Sequence, residues 1–303
     1  SPTKILEIIV FFGVLVIIVS GLFFNFNKLS ILTLLSIYSL AAFRLLPSFN
    51  RVTLALINLK TYEYTLEIID KINPNSETVN KSSRNISPFQ SFKISKISYK
   101  YPNTSKYLFE NFSLEIIKGD IIGISGESGS GKSTLIKIIA GLLKPNQGKV
   151  YYNNEICNDD LISLWQHKIG YVRQNVFVYN SSLKNNIAFG VDEQFIDYDK
   201  LNYALKLSNL EEFIASNKYG IEYNIGENGS KLSGGQIQRV GIARAIYFDS
   251  EIILFDEPLS SLDDLAQIKI TKTISDLAKK DFTIIISSHQ KQVFKYCNKK
   301  IFV

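Results

Sequence analysis

Ile121-Ile122-Gly123-Ile124-Ser125 runs directly into Gly126-Glu127-Ser128-Gly129-Ser130-Gly131-Lys132-Ser133-Thr134, and an apolar run through Ala140 follows. A short unbroken apolar run bounded by glycine predicts a buried strand, and the periodic run after it predicts a helix. Between them stands G-x-x-x-x-G-K-[ST], a pattern that carries chemistry only in such a strand–loop–helix setting. Its glycines let the backbone wrap closely with N–H groups turned inward, and the helix start adds a potential favourable to anions. The loop from Gly126 to Thr134 therefore reads as a cradle for nucleotide phosphates. Lys132 is placed to bridge the β- and γ-phosphates, and the Ser133 hydroxyl to ligate Mg²⁺.

A second apolar run ends in acids. Glu251-Ile252-Ile253-Leu254-Phe255-Asp256-Glu257-Pro258 predicts a buried strand with two carboxylates at its mouth. A phosphate loop needs a neighbouring acid to hold its metal, and Asp256 takes that part. Side chains alternate along a strand, so Glu257 is expected to point elsewhere, toward the attacking water as general base. From residue 91 onward short β-rich runs alternate with helical stretches, which predicts an α/β class.

The segment Lys231-Leu232-Ser233-Gly234-Gly235-Gln236-Ile237-Gln238-Arg239 is another anion site in form: a serine hydroxyl and bare glycine amides at the start of a helix predicted over 236–246. Its core resembles the LSGGQ signature of ATP-binding cassette (ABC) proteins without a departure. The resemblance implies a P-loop nucleotide-binding domain with a helical subdomain, and ATP and Mg²⁺ as its ligands. It further implies that Ser233, Gly234, Gly235 and Gln236 close over ATP held by a second copy. Tyr101, in Ile-Ser-Tyr-Lys-Tyr-Pro, resembles the aromatic that stacks on adenine. Gln174, in Gly-Tyr-Val-Arg-Gln, resembles the glutamine that reaches Mg²⁺ and water, on a loop that also contacts the membrane part. Asp263, in Ser260-Ser261-Leu262-Asp263, resembles the loop crossing between cassettes, and His289, after a strand predicted over 283–287, resembles the switch histidine on the γ-phosphate. The catalytic set is thus Glu257, His289, Gln174 and Lys132. Ser133, Gln174 and Asp256 form the metal set, and the nucleotide contacts are Tyr101, residues 126–134, Ser233 to Gln236, and Asp263. The matching marks span residues 94–289.

Ahead of this domain the chain changes character. Residues 8–27 are twenty uncharged residues dominated by Ile, Val, Leu and Phe. As a helix they reach about 30 Å, the thickness of a bilayer's hydrocarbon core. A signal peptide would carry a basic run before such a stretch and small residues after it, and neither is found here. A second run, 29–43, spans only if it continues through Phe49, with Arg44 snorkelling outward. Lys4 lies before this hairpin and Arg44, Arg51 and Lys60 after it, which sets both ends in the cytoplasm. Helical periodicity continues to Asp70, so one long helix is expected to run on below the membrane. Residues 1–72 are accordingly read as transmembrane, 73–90 as a polar linker, and 91–303 as the nucleotide-binding domain.

The net charge of +6 comes from scattered lysines, with no run dense enough to suit nucleic acid. Cys157 and Cys297 form no CxxC pattern, which argues against disulfide or zinc frameworks and fits a cytoplasmic domain. The chain begins Ser-Pro-Thr and has no methionine, so it is read as part of a longer protein. Residues 182–190 and 225–229 resemble the TIxxNIxxG and GExG segments of exporter-type members, in which six spanning helices precede each cassette. The hairpin would then be the fifth and sixth, and further short elements would follow Val303. Residues 41–51 resemble the sixth-helix region of lipid-linked oligosaccharide flippases. The resemblance implies a multi-pass protein of the cell membrane, surrounded by lipids and paired with a second half-transporter, as a homodimer, that exports or flips such a substrate. Multidrug or peptide export is the alternative of the same architecture. A soluble cassette ATPase acting on ribosomes or DNA is the alternative of another class.

Overall fold

The computed structural model describes residues 2–72, 87–260, 262–290 and 292–303. Most of the expected linker, 73–86, and Ser261 of the expected crossing loop lie outside the described residues. Two compact units are present, Ser1–Arg84 and Asn85–Val303.

The first unit is a pair of helices, α1 (Pro2–Phe23) and α2 (Lys28–Ile72). Asn25 takes the left-handed conformation (φ 52°) in the turn between them, so α1 stops at Phe23 rather than running to Asn27. Two small residues let the helices approach. Tyr38 lies over Gly13, where a Cβ would clash with its ring, and its hydroxyl donates to the Val10 carbonyl at 3.4 Å; Gly21 likewise faces Ile31. Pro47 sits inside α2, which is helical on both sides of it. Among the described residues Lys28–Ile69 is long and apolar enough to cross a membrane, whereas Ile8–Phe23 is apolar but shorter. Large apolar side chains are exposed along both helices, Phe11, Leu22, Leu29 and Phe43 among them.

The second unit is built on two sheets. The core sheet is five-stranded and all parallel, in the order β6 (Ile169–Val172), β7 (Ile252–Asp256), β8 (Thr283–Ser287), β3 (Ile121–Ser125), β9 (Lys299–Phe302). β7 and β8 are buried at every position, which is why they read as continuous apolar runs rather than alternating ones. The other sheet is antiparallel and four-stranded, in the order β2 (Phe109–Ile117), β1 (Ser91–Tyr99), β4 (Gln147–Tyr152), β5 (Glu155–Ile156).

Helix α3 (Lys132–Ile139) lies between the two sheets' apolar faces, with Leu135, Ile136 and Ile139 fully buried. Trp165 of α4 (Asp159–Gln166) stacks on Phe92 with centroids 4.5 Å apart and donates its indole N–H to the Ile139 carbonyl at 2.8 Å. It thereby joins α4 and β1 to the end of α3. A separate apolar cluster gathers α5 (Leu183–Ile187), α6 (Tyr198–Leu207), α8 (Gly234–Tyr247) and α9 (Asp264–Ala278). The short α7 (Glu211–Ser216) flanks it.

Glu251 ties the entry of this unit to its core sheet. Its carboxylate accepts from the Phe89 N–H at 2.8 Å and pairs with Lys168 at 2.6 Å. Burial alone would raise its pKa, but the Lys168 and Phe89 bonds outweigh burial and hold it below the usual carboxylate value. A depressed folded-state pKa means stability that is present above the unfolded value and lost as pH falls through the folded one. Glu251→Gln should therefore cost about 1–3 kcal/mol near neutral pH, with the difference from the parent shrinking in thermal melts as pH falls through the lowered folded-state pKa. A pH-independent difference would contradict this.

Candidate functional site

The carboxyl ends of the core strands bring the chemical groups together. Asp256 ends β7, and Ser287 stands directly opposite it at the end of β8. Asp256 is 8% exposed, and its Oδ1 accepts hydroxyls from Ser133 and Ser287, each at 2.8 Å. Tyr171 on β6 donates to its Oδ2 at 3.0 Å. Burial, then the neighbouring Asp256 charge and the bond to it, raise the Tyr171 phenol well above its ordinary value, so it stays protonated and donates.

Glu257 departs from the expected reason for its direction. It lies beyond the strand, in the left-handed conformation (φ 49°), with its N–H donating to the Ser287 carbonyl and hydroxyl at 3.1 Å. That backbone twist, not strand alternation, sets where its carboxylate goes: 3.6 Å from Lys132 Nζ and 3.7 Å from His289 Nδ1. A non-glycine residue held there stores strain that the two Ser287 bonds offset.

Lys132 is 5% exposed and curls over its own loop, donating to the Gly126 carbonyl at 3.1 Å and the Glu127 carbonyl at 2.9 Å. Gly131, at φ 108°, caps α3 in a conformation closed to L side chains, and a Cβ there would sit 2.9 Å from Leu108. Ser128 and Gly129 are exposed at the tip of the loop, while the Ser130 hydroxyl is buried and finds no hydrogen-bond partner among the described residues. Tyr101 is 42% exposed, and its hydroxyl shares a 2.8 Å hydrogen bond with Thr134 at the start of α3.

Lys132, Ser133, Asp256, Glu257 and His289 thus form one connected group, with Tyr101 joined to the loop through Thr134. The signature segment stands apart. Ser233 caps α8, accepting from the Gln236 N–H while Gln236 accepts from the Ser233 N–H. Gly234 and Gly235 lie where a Cβ would press on Leu262 and Ala266, and Asp263 caps α9 by accepting from the Ala266 N–H at 2.7 Å. Among the described residues, none of these four signature residues hydrogen-bonds or ion-pairs with Lys132, Ser133, Asp256 or Glu257. Gln174 is exposed, just beyond β6. Burial pushes the Cys157 and Cys297 thiols up to about 11, which keeps them protonated and unreactive.

Tyr171 and Ser287 are the partners of Asp256 that the motifs do not announce. Both belong to segments singled out for other residues, Gln174 and His289. Only the register of the parallel strands reveals that they flank the carboxylate.

Residues 109–260 match the profile of the family described as ABC transporter. The multidrug resistance-like ATP-binding protein MdlA of Buchnera aphidicola subsp. Baizongia pistaciae is 34% identical over 72% of this chain and 38% of its own length. The lactococcin-G-processing and transport ATP-binding protein LagD of Lactococcus lactis subsp. lactis is 35% identical over 78% of this chain and 33% of its own. An ATP-dependent lipid A-core flippase of Cupriavidus pinatubonensis is 31% identical over 63% and 33%. The chain spans about a third of the length of these relatives. The solved structure of a bacterial Atm1-family ABC exporter with ATP bound superposes with a TM-score of 0.67 at 22% identity, over 89% of this chain and 47% of that one, a likeness of fold. The α/β cassette fold expected from the motifs is the fold observed, and the chain belongs to the ABC transporter family, whose ATP-binding domain it carries.

Proposed function

We propose that this chain is the C-terminal portion of an exporter-type half-transporter that hydrolyses ATP to move a substrate across the cell membrane. The observation that supports this best is the joining of Lys132, Ser133, Asp256, Glu257 and His289 at the mouth of one parallel sheet. ATP is the substrate of the cassette. Lys132 and the amides of residues 126–134 bind and orient its phosphates, and Tyr101 takes the adenine. The oxygen-only set around Asp256, a carboxylate with serine hydroxyls, suits a hard ion such as Mg²⁺. Ser133, Asp256 and Gln174 would hold it, and when bound it neutralises charge on the phosphate oxygens. Glu257 takes the proton of a water whose oxygen attacks the γ-phosphorus as the bond to ADP breaks, and His289 orients the γ-phosphate.

The separation of the signature segment from this group supports a second copy as partner, each lending Ser233 to Gln236 and Asp263 to the other's nucleotide, with both catalytic sets intact. Closure is driven by the higher affinity of ATP for the closed pair. The exposed apolar surface of α1 and α2 supports a bilayer setting, lipid-facing and multi-pass, with the cassette in the cytoplasm.

For cargo, the resemblance of residues 41–51 favours a lipid-linked oligosaccharide, and the relatives named for multidrug resistance and lactococcin keep drug or peptide export as the second reading. Reconstitution of the complete protein in vesicles tests this. Lipid-linked oligosaccharide is expected to stimulate phosphate release and to be moved across the bilayer. Stimulation by peptides or drugs alone would favour the second reading. Loss of the protein from membranes in a carbonate wash would contradict membrane transport altogether.

A further inference from the structure

Asp256 is held from both neighbouring strands. Ser287 of β8 and Ser133 of α3 share its Oδ1, while Tyr171 is the one donor to Oδ2 among the described residues. The register explains the reach. Tyr171 pairs with Leu254, two positions before Asp256, so both side chains leave the same face of the sheet, and a phenol is long enough to cross the diagonal. Tyr171 also stands three residues before Gln174, at the strand end from which the Gln174 segment departs.

We propose that Tyr171 is a positioning residue for the metal: by holding Oδ2 it sets the plane in which Asp256 presents its carboxylate to Mg²⁺, and it couples that plane to the end of β6. The proposal rests on the reading that Asp256 holds Mg²⁺. A carboxylate with donors on one oxygen alone can turn about its Cβ–Cγ bond. Donors on both oxygens stop that rotation, and an outer partner of this kind governs how well a ligand binds its metal. The Tyr171 hydroxyl is itself engaged with Asp256, so it acts through that residue and not on the substrate.

Tyr171→Phe removes one oxygen and leaves the ring against the apolar cluster that contains Leu254 and Ile285. The test is ATP affinity of the 303-residue chain, purified in detergent, measured with Mg²⁺ and again in EDTA. The strengthening of ATP binding by Mg²⁺ is expected to shrink about tenfold in Tyr171→Phe, with the EDTA value within about twofold of the parent. An undiminished Mg²⁺ effect would overturn the proposal, and so would an equal loss in both conditions, which marks a merely structural role. Asp256→Asn is measured alongside. If it loses the Mg²⁺ effect while Tyr171→Phe keeps it, only the Tyr171 proposal fails; if it too keeps the effect, the metal reading of Asp256 fails and takes the proposal with it. A structure of the parent with Mg²⁺ and a slowly hydrolysed ATP analogue decides independently of how the variant folds. The Tyr171 hydroxyl still on Asp256 supports the proposal, and its departure overturns it.

Discussion

Glu257→Gln is expected to bind ATP as the parent does and to release phosphate about 10²–10⁴ times more slowly, the usual contribution of a positioned general base. The amide is the same size as the carboxylate and can accept from Lys132 through its oxygen, so the left-handed turn and the two bonds its N–H donates to Ser287 should survive. What it lacks is a carboxylate that can take the proton of the attacking water. ATP affinity by equilibrium binding and phosphate release under saturating ATP separate the two effects. Release at the parent's rate would remove Glu257 from the role of base.

Lys132→Ala should fail one step earlier. Its ammonium is buried against two loop carbonyls and the Glu257 carboxylate, so it is held where the phosphates would be bound. Losing a desolvated cation that faces an anionic ligand costs about 2–4 kcal/mol, or about 30- to 700-fold in ATP affinity. Turnover falls with it. Glu257→Gln and Lys132→Ala are thus both expected to be poor ATPases under limiting ATP, and only the former should retain nucleotide. Unchanged affinity in Lys132→Ala would contradict the assignment of the loop.

The elements that carry these residues were legible because their signals are local. β3 and β8 span the residues that their apolar runs predict, and α3 starts at Lys132 because the glycines before it leave no other conformation. The antiparallel sheet was less legible. β1 is interrupted by register shifts near Ile97, and no alternation pattern announces the left-handed asparagines, Asn111 within β2 and Asn153 in the turn from β4 to β5. Strand alternation does not set the direction of Glu257, since a strand pattern does not tell where the strand stops. Local sequence does not reveal Tyr171 as a partner of Asp256, because 85 residues separate them and only parallel pairing brings them to one face. In the N-terminal unit the apolar run of 8–27 passes the end of α1 at Phe23, because hydropathy does not register the left-handed turn at Asn25.

In the proposed mechanism each ATP is held by two copies of this chain at once. The most direct measurement is a cryo-EM structure of the complete protein carrying Glu257→Gln, in nanodiscs with Mg²⁺ and ATP. Triphosphate density is expected between Gly129, Gly131 and Lys132 of one copy and Ser233 and Gly235 of the other. Triphosphate seated on one copy, with the facing signature segment turned away and nothing of the second copy within contact distance, would contradict it.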